Sequence, residues 1–338
     1  MTAMQANAAP GANGLLEPLA PFLQNDNVSE ILINRASEVF VEECTSMKRY
    51  NLPLLRTAYL RQLFTLLANE NKQVLTEASP LLSGNLSDGC RVQLVIPPVA
   101  SQYTLSIRKF TLKSMTMDDF AVTGFFNGAV GLSLKVDEQI KDEHEVLLRE
   151  LYQTKNWQAF LTVAIHAKKT IVISGATSSG KTTFLNACLH QIPLDERLIT
   201  LEYTYEIKAP HQNIVRLKAV KQVGTQEAKL TMQDLVQASL RLRPDRIIMG
   251  EIRGKEIFDF VSACSTGHNG SLATIHADNP RMAFMRMAQL YKLNNVPGMK
   301  DEDIHQLLHE VIDVVVQLKK TAHGRQMTSV YYKGMNHE

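Results

Sequence analysis

One stretch constrains this chain more than any other: Gly175–Thr182, GATSSGKT, which follows an apolar run, TIVIS, and leads into TTFLNACLHQI, whose apolar residues have helical spacing. A G-x-x-x-x-G-K-[ST] pattern between a strand and a helix makes a backbone cradle for phosphate. Gly175 and Gly180 let the chain wrap tightly, so that amides along Ala176, Thr177, Ser178 and Ser179 converge on phosphate oxygens. The start of the helix adds its positive dipole end. Lys181 is then placed to reach the distal phosphates of a nucleoside triphosphate. Thr182 can offer its hydroxyl to a magnesium ion, and Thr183 follows in the same first helical turn.

The rest of the second half fits around this loop. From Thr170 onward, apolar runs (RLITLEY, NIVRLKA, DRIIMGEI, SLATIHA) alternate with helical segments (TMQDLVQASLRL, KEIFDFVSACST). This alternation predicts a mostly parallel sheet covered by helices. In RPDRIIMGEIRG a buried strand ends at Met249, which brings Glu251 out beside the phosphate site as the candidate catalytic carboxylate. LITLEYTYEI places Glu202 and Glu206 just past another strand, where they either face a metal–phosphate site or belong to a charged surface loop. In STGHNGSLATIHADNP, His268 and His276 bracket one strand; either is open to a phosphate contact, a relay or a structural cap. Arg241 and Arg243, in SLRLRPDR, raise a similar choice, as do Arg91 and Arg108 in the β-rich runs RVQLVIPP and YTLSIRKF. Arg91 and Arg108 are either solvated outward residues or guanidinium groups that cross a domain cleft to the nucleotide.

At 338 residues the chain is long enough for two domains. Residues 1–14 read as a loose start. Residues 15–128 read as an α+β domain with an antiparallel sheet, in which VSEILINRASEVFVEE forms two strands around a turn at Asn34 and TAYLRQLFTLLANEN an amphipathic helix. A Gly-containing, then charged stretch reads as a linker over 129–145, leaving 146–338 as the α/β nucleotide domain. Thirty-six basic and 34 acidic residues nearly cancel, so no global field draws in nucleic acid or anionic lipid. The four scattered cysteines form no zinc or disulfide pattern, which fits a reducing cytoplasm. No run reaches the roughly 18 apolar residues of a membrane span, and the N-terminus lacks the regions of a signal peptide.

Taken in order, GATSSGKT, LITLEYTYEI, SLRLRPDRIIMGEIRG and STGHNGSLATIHADNP resemble the Walker A motif, Asp box, Walker B motif and His box of the secretion ATPase superfamily. VQLVIPPVASQYTLSIRKF looks like the N-terminal domain of its VirB11 branch, the traffic ATPases of type IV secretion systems. The resemblance spans about Leu15 to about Tyr332. It implies a RecA-like P-loop ATPase domain behind a PAS-like N-terminal domain, and a homohexameric ring using ATP and Mg2+. It further implies work at the cytoplasmic face of the inner membrane, beside other secretion-system ATPases and channel components, without sequence-specific nucleic-acid binding. On the matching positions, Lys181 and Thr182 are the phosphate and magnesium residues and Glu251 is the Walker B glutamate. Glu202 and Glu206 are the acidic pair, His268 and His276 the His box, and Arg91 and Arg108 the N-domain arginines near the phosphates. One position departs from the family: Tyr203 stands where a second carboxylate, Asp, is usual, so Glu206 becomes the stronger catalytic candidate. A type II secretion or type IV pilus ATPase, and a nucleotide-gated platform with little hydrolysis, are the alternative readings.

Overall fold

The alternation in VSEILINR and EVFVEE produces two antiparallel strands, β1 (Val28–Arg35) and β2 (Glu38–Glu43). The computed structural model describes residues 12–109, 117, 122, 143–219 and 230–335, so most of the expected linker and most of residues 1–14 lie outside the described residues. β3 (Ser46–Asn51), β4 (Leu81–Asn85), β5 (Arg91–Val95) and β6 (Thr104–Arg108) complete a six-stranded antiparallel sheet of order β3-β2-β1-β6-β5-β4. Ile31, Ile33, Val39 and Val41 point to one face, where they pack with Leu60, Leu63, Phe64 and Leu67 of helix Thr57–Glu70. The turn expected at Asn34 falls later, at Ala36–Ser37, where Ser37 has φ 64°. Asn34 is itself a buried strand residue on the opposite face.

The second sheet has the order β13-β12-β7-β11-β10-β8-β9. Its strands are β7 (Ile171–Gly175), β8 (Leu198–Glu202), β9 (Ile214–Lys218), β10 (Arg246–Met249), β11 (Leu272–Ile275), β12 (Val314–Thr321) and β13 (Gly324–Tyr332). All neighbours are parallel except the terminal β12–β13 hairpin. Because strand side chains alternate between faces, Ile171, Ile173, Leu198 and Ile248 join one apolar cluster while Val172, Ile199, Ile247 and Met249 join the other. Helices cover both faces, which explains why these strands read as unbroken apolar runs. Among the described residues no helix is long and apolar enough to cross a membrane.

The free face of the first sheet sits against the second domain. Arg197, fully buried, donates to Asn34 Oδ1 at 2.7 Å and to Leu242 O at 2.8 Å, and also to Asn213 Oδ1. Asn34 Nδ2 donates to Asn213 Oδ1 at 3.0 Å, and Arg243 pairs with Glu42. Arg197→Ala leaves these buried acceptors without their donor and opens a void. It is expected to cost about 3–4 kcal/mol of stability, to be read by urea unfolding.

Candidate active site

Four adjacent parallel strands, β7, β11, β10 and β8, end at one edge of the second sheet. Their carboxyl ends lead to the GATSSGKT loop, His276, Glu251 and Glu202 in turn, which is where ligands bind in open α/β sheets. The loop needs its glycines for definite reasons. A Cβ on Gly175 would lie 2.4 Å from Ser179 Oγ and 2.7 Å from Leu318 O. Gly180 has φ 94° at the start of helix Lys181–Leu189, where no side chain caps the helix. The amide groups of that first turn therefore open toward the cleft with their dipole. Ser178 also adopts a positive φ, 62°.

Lys181 lies at the centre of a continuous polar chain. Its three ammonium protons have three acceptors: Gly175 O at 2.8 Å, Ala176 O at 3.0 Å and His276 Nδ1 at 3.3 Å. Since an ammonium only donates, His276 accepts at Nδ1 and carries its proton on Nε2, which lies 3.1 Å from Glu251 Oε1. Glu251 Oε2 in turn accepts from Arg253 at 2.6 Å. Burial pushes the Lys181 ammonium below the usual lysine range; the carboxylate of Glu251 opposes this, and Arg253 adds to it. The Glu251 backbone is fixed from both sides. Gly250 N–H donates to Leu201 O on β8, and Ile252 N–H donates to Thr274 O on β11, both at 2.9 Å.

The two carboxylates of the LITLEYTYEI segment divide their work. Glu202 is buried, and its Oε1 accepts the amides of Glu206 at 2.7 Å and Ile207 at 2.6 Å. It shapes the turn and also lines the cleft, while of the pair only Glu206 is exposed. Glu206 Oε2 accepts from the Thr182 hydroxyl at 3.4 Å. Between them, the Tyr203 ring lies 4.6 Å from the Arg253 guanidinium carbon. Burial pushes the Tyr203 phenol up to about 12, so it is neutral at physiological pH and is no anionic metal ligand.

Several other sequence-predicted residues lie away from the cleft in this chain. Arg91 and Arg108 face each other across β5 and β6, both exposed, with Arg108 Nε 3.7 Å from Glu30. Neither lines the cleft, and no described residue of the N-terminal sheet does. Their register with Glu30 puts both on the face of Asn34, the face turned to the second domain, yet within this chain they stay solvent-exposed and short of the cleft. Arg241 donates to Ser83 Oγ and Arg243 pairs with Glu42 and Asp245, so both serve the domain seam. His268 lies 3.2 Å from Pro244 O through Nδ1, outside the cleft, and acts as a local cap. Two arginines went unread. Arg253 is visible in the sequence only as the residue two past Glu251. Arg325 reaches in from the β12–β13 hairpin to donate to Ser178 O at 3.0 Å.

The cleft encloses about 460 Å³, room for a nucleotide, and is lined by the loop, Thr182, Thr183, Glu202, Tyr203, Glu206, Glu251, Arg253, His276 and Arg325, among others. The residues fit a triphosphate. The loop amides, Lys181 and two arginines supply donors, and Ser179 Oγ is buried with no partner of its own. Magnesium fits less as a protein-caged ion than as one shared with phosphate. Among the described residues no group of three or more His, Cys, Asp or Glu could hold a metal. Thr182 and Glu206 therefore offer only the one or two oxygen ligands typical of Mg2+ at such sites.

Comparison with known proteins agrees with this architecture. A family described as "Type II/IV secretion system protein" matches residues 14–333. The type IV secretion system protein VirB11 of Brucella suis biovar 1 is 35% identical over 96% of this chain and 91% of its own length. The protein VirB11 of Agrobacterium fabrum is 32% identical over 92% and 89% respectively. The crystal structure of the VirB11 ATPase from the Brucella suis type IV secretion system in complex with sulphate superposes with a TM-score of 0.87 at 32% identity. That match covers 95% of this chain and 94% of that one.

Proposed function

The chain belongs to the type II/IV secretion system protein family and, within it, to the VirB11 branch; from that premise we propose that it hydrolyses ATP as a hexameric motor of a type IV secretion or conjugation system. In this reading a RecA-like domain works with a PAS-like N-terminal domain at the cytoplasmic face of the inner membrane, with secretion-system channel components and other ATPases as partners. The observation that carries the ATPase reading is the convergence of Lys181, His276, Glu251 and Glu206 at the ends of adjacent parallel strands.

Each residue's task follows from its contacts. The loop amides and Lys181 bind the triphosphate, and Lys181 exchanges carbonyl or His276 contacts for phosphate oxygens as it does so. Thr182, with Glu206 beside it, would hold a magnesium ion, which would supply charge neutralisation at the distal phosphates. Glu251 orients the attacking water and takes its proton, and Arg253 and His276 fix the carboxylate from either side. His276 links Lys181 to Glu251, so it joins the phosphate-binding group to the base. Arg325 holds the loop at Ser178.

Phosphate release from Mg·ATP, measured alongside particle mass with and without nucleotide, tests the proposal. A nucleotide-bound hexamer that releases phosphate supports it; an inactive chain that stays monomeric throughout overturns it. A finer expectation concerns Tyr203. The ring, and not the hydroxyl, meets Arg253, so Tyr203→Phe should stay within about twofold of wild-type turnover. Tyr203→Ala should lower it about three- to tenfold by releasing Arg253 from its stacked position beside Glu251. Steady-state phosphate release from the two variants checks this.

A further inference from the structure

The loop that carries Glu206 is held not only by its own domain but by the other one. Residues Pro97–Ser101, between β5 and β6 of the N-terminal sheet, run along the outer edge of β9. Ala100 pairs antiparallel with Leu217, Lys218 N–H donates to Val99 O at 2.8 Å, and Ser101 N–H donates to Arg216 O at 3.1 Å. Val99 and Ala100 are buried in the same apolar cluster as Leu201 and Leu217, so this is an added strand segment sealed into the core of the nucleotide domain.

The seam reaches the site through two side chains. The Tyr205 hydroxyl lies 3.4 Å from Val99 O and 3.3 Å from Arg216 O, and its one proton is shared between a carbonyl of each domain. The Tyr205 ring is covered by the Arg216 guanidinium at 4.7 Å and approached by the Lys218 ammonium at 5.3 Å. Arg216 also donates to Ile207 O at 2.9 Å and lies 3.6 Å from Glu202 Oε2. Glu206 is therefore flanked by two residues, Tyr205 and Ile207, that are both tied to β9, while its own amide is tied to Glu202. Its carboxylate then meets Thr182.

We propose that Tyr205 and Arg216 are positioning residues through which the docked N-terminal segment Pro97–Ser101 sets the place of Glu206 opposite Thr182. This inference rests on the ATPase reading only for its effect on rate. A shift of the N-terminal domain along β9 moves Val99 O, and Tyr205 must either follow it or lose the bond. Either way the loop carrying Glu206 is altered, while the phosphate cradle on β7 is untouched. The expected signature is a change in turnover and in magnesium requirement, with little change in the KM for ATP.

Three full-length variants test it. Tyr205→Phe removes one oxygen and keeps the ring under its cations. Arg216→Lys keeps the charge but cannot reach both Ile207 and Glu202. Ser101→Pro removes a donor on the N-terminal side, in neither the cradle nor the acidic loop. Each should lower kcat about three- to tenfold and raise the half-saturating Mg2+, leaving the KM for ATP within about twofold. Each should also speed hydrogen exchange at the amides of Glu206 and Ile207 in the nucleotide-free protein. Unchanged exchange in Tyr205→Phe and Ser101→Pro, with unchanged Mg2+ dependence in an active wild type, overturns the inference. If wild type releases no phosphate, the ATPase reading fails by itself. The exchange data then still decide: faster exchange in Ser101→Pro upholds the hold of one domain on this loop, and unchanged exchange refutes it.

Discussion

Glu251→Gln is expected to lower ATP turnover by about 10²- to 10³-fold while nucleotide affinity stays within about threefold of wild type. In the proposed function the Glu251 carboxylate is the base of the cleft. It emerges just past β10, its backbone is clamped between β8 and β11, and its two oxygens are held by His276 Nε2 and Arg253. Glutamine keeps the length and one acceptor oxygen, so the cleft and the cradle on β7 keep their shape. It cannot take a proton from water, and it leaves Arg253 facing a neutral amide. Phosphate release at saturating Mg·ATP, set against equilibrium binding of a fluorescent nucleotide, separates the two effects. Equal turnover in wild type and variant would mean that Glu251 is not the base and would favour a platform that binds ATP with negligible hydrolysis.

The parts of this site that were legible in the sequence are those fixed by strand ends. A residue one or two positions past a buried apolar run must emerge at the sheet edge, and that argument places GATSSGKT, Glu251 and His276 without any tertiary knowledge. Spacing alone could not divide Glu202 from Glu206. Which of them turns inward depends on backbone amides donated by the loop itself, and those amides carry no sequence signal. Arg253 and Arg325 were illegible for different reasons. The first looks like a solvated charge in any window of the sequence. The second is brought to Ser178 by a hairpin at the far end of the chain, through the parallel pairing of β12 with β7.

The N-terminal domain shows the same limits. β1 and β2 announce themselves by apolar alternation, whereas β3 is exposed or half-exposed along its length and shows none. β4 contains Gly84, where any Cβ would lie 2.2 Å from Asn71 Oδ1, so the side chain of Asn71, just past the end of helix Thr57–Glu70, and not strand propensity accounts for that residue. Arg91 and Arg108 were ambiguous because an arginine on the partner-facing side of a strand reaches a cleft or stops in solvent according to how the two domains dock, and their register with Glu30 puts both on the face of Asn34. Here the partner takes the face of Asn34 through Asn213 and Arg197, and polar residues at the seam form a network that is recognisable only once both domains are in place.

Lys181→Met should abolish turnover, by more than about 10²-fold, and weaken nucleotide binding about 10- to 100-fold, so that unlike Glu251→Gln it fails at both steps. The contrast follows from where each group acts. Lys181 is the buried cation of the cradle, and phosphate oxygens are among the few partners that compensate its burial better than the carbonyls of Gly175 and Ala176 do. Methionine fills much of the same space with no charge. It also strips His276 of its Nδ1 donor, loosening the link to Glu251. Unfolding is a poor explanation for such a loss, because removing a buried ammonium also removes its desolvation penalty; the nucleotide-free stability should move by no more than about 1 kcal/mol. Thermal melting without nucleotide should therefore match wild type, and the upward shift in melting temperature that ATP gives the wild type should shrink in the variant. A variant that melts normally, still gains the full nucleotide shift and still turns over would place the triphosphate somewhere other than this loop.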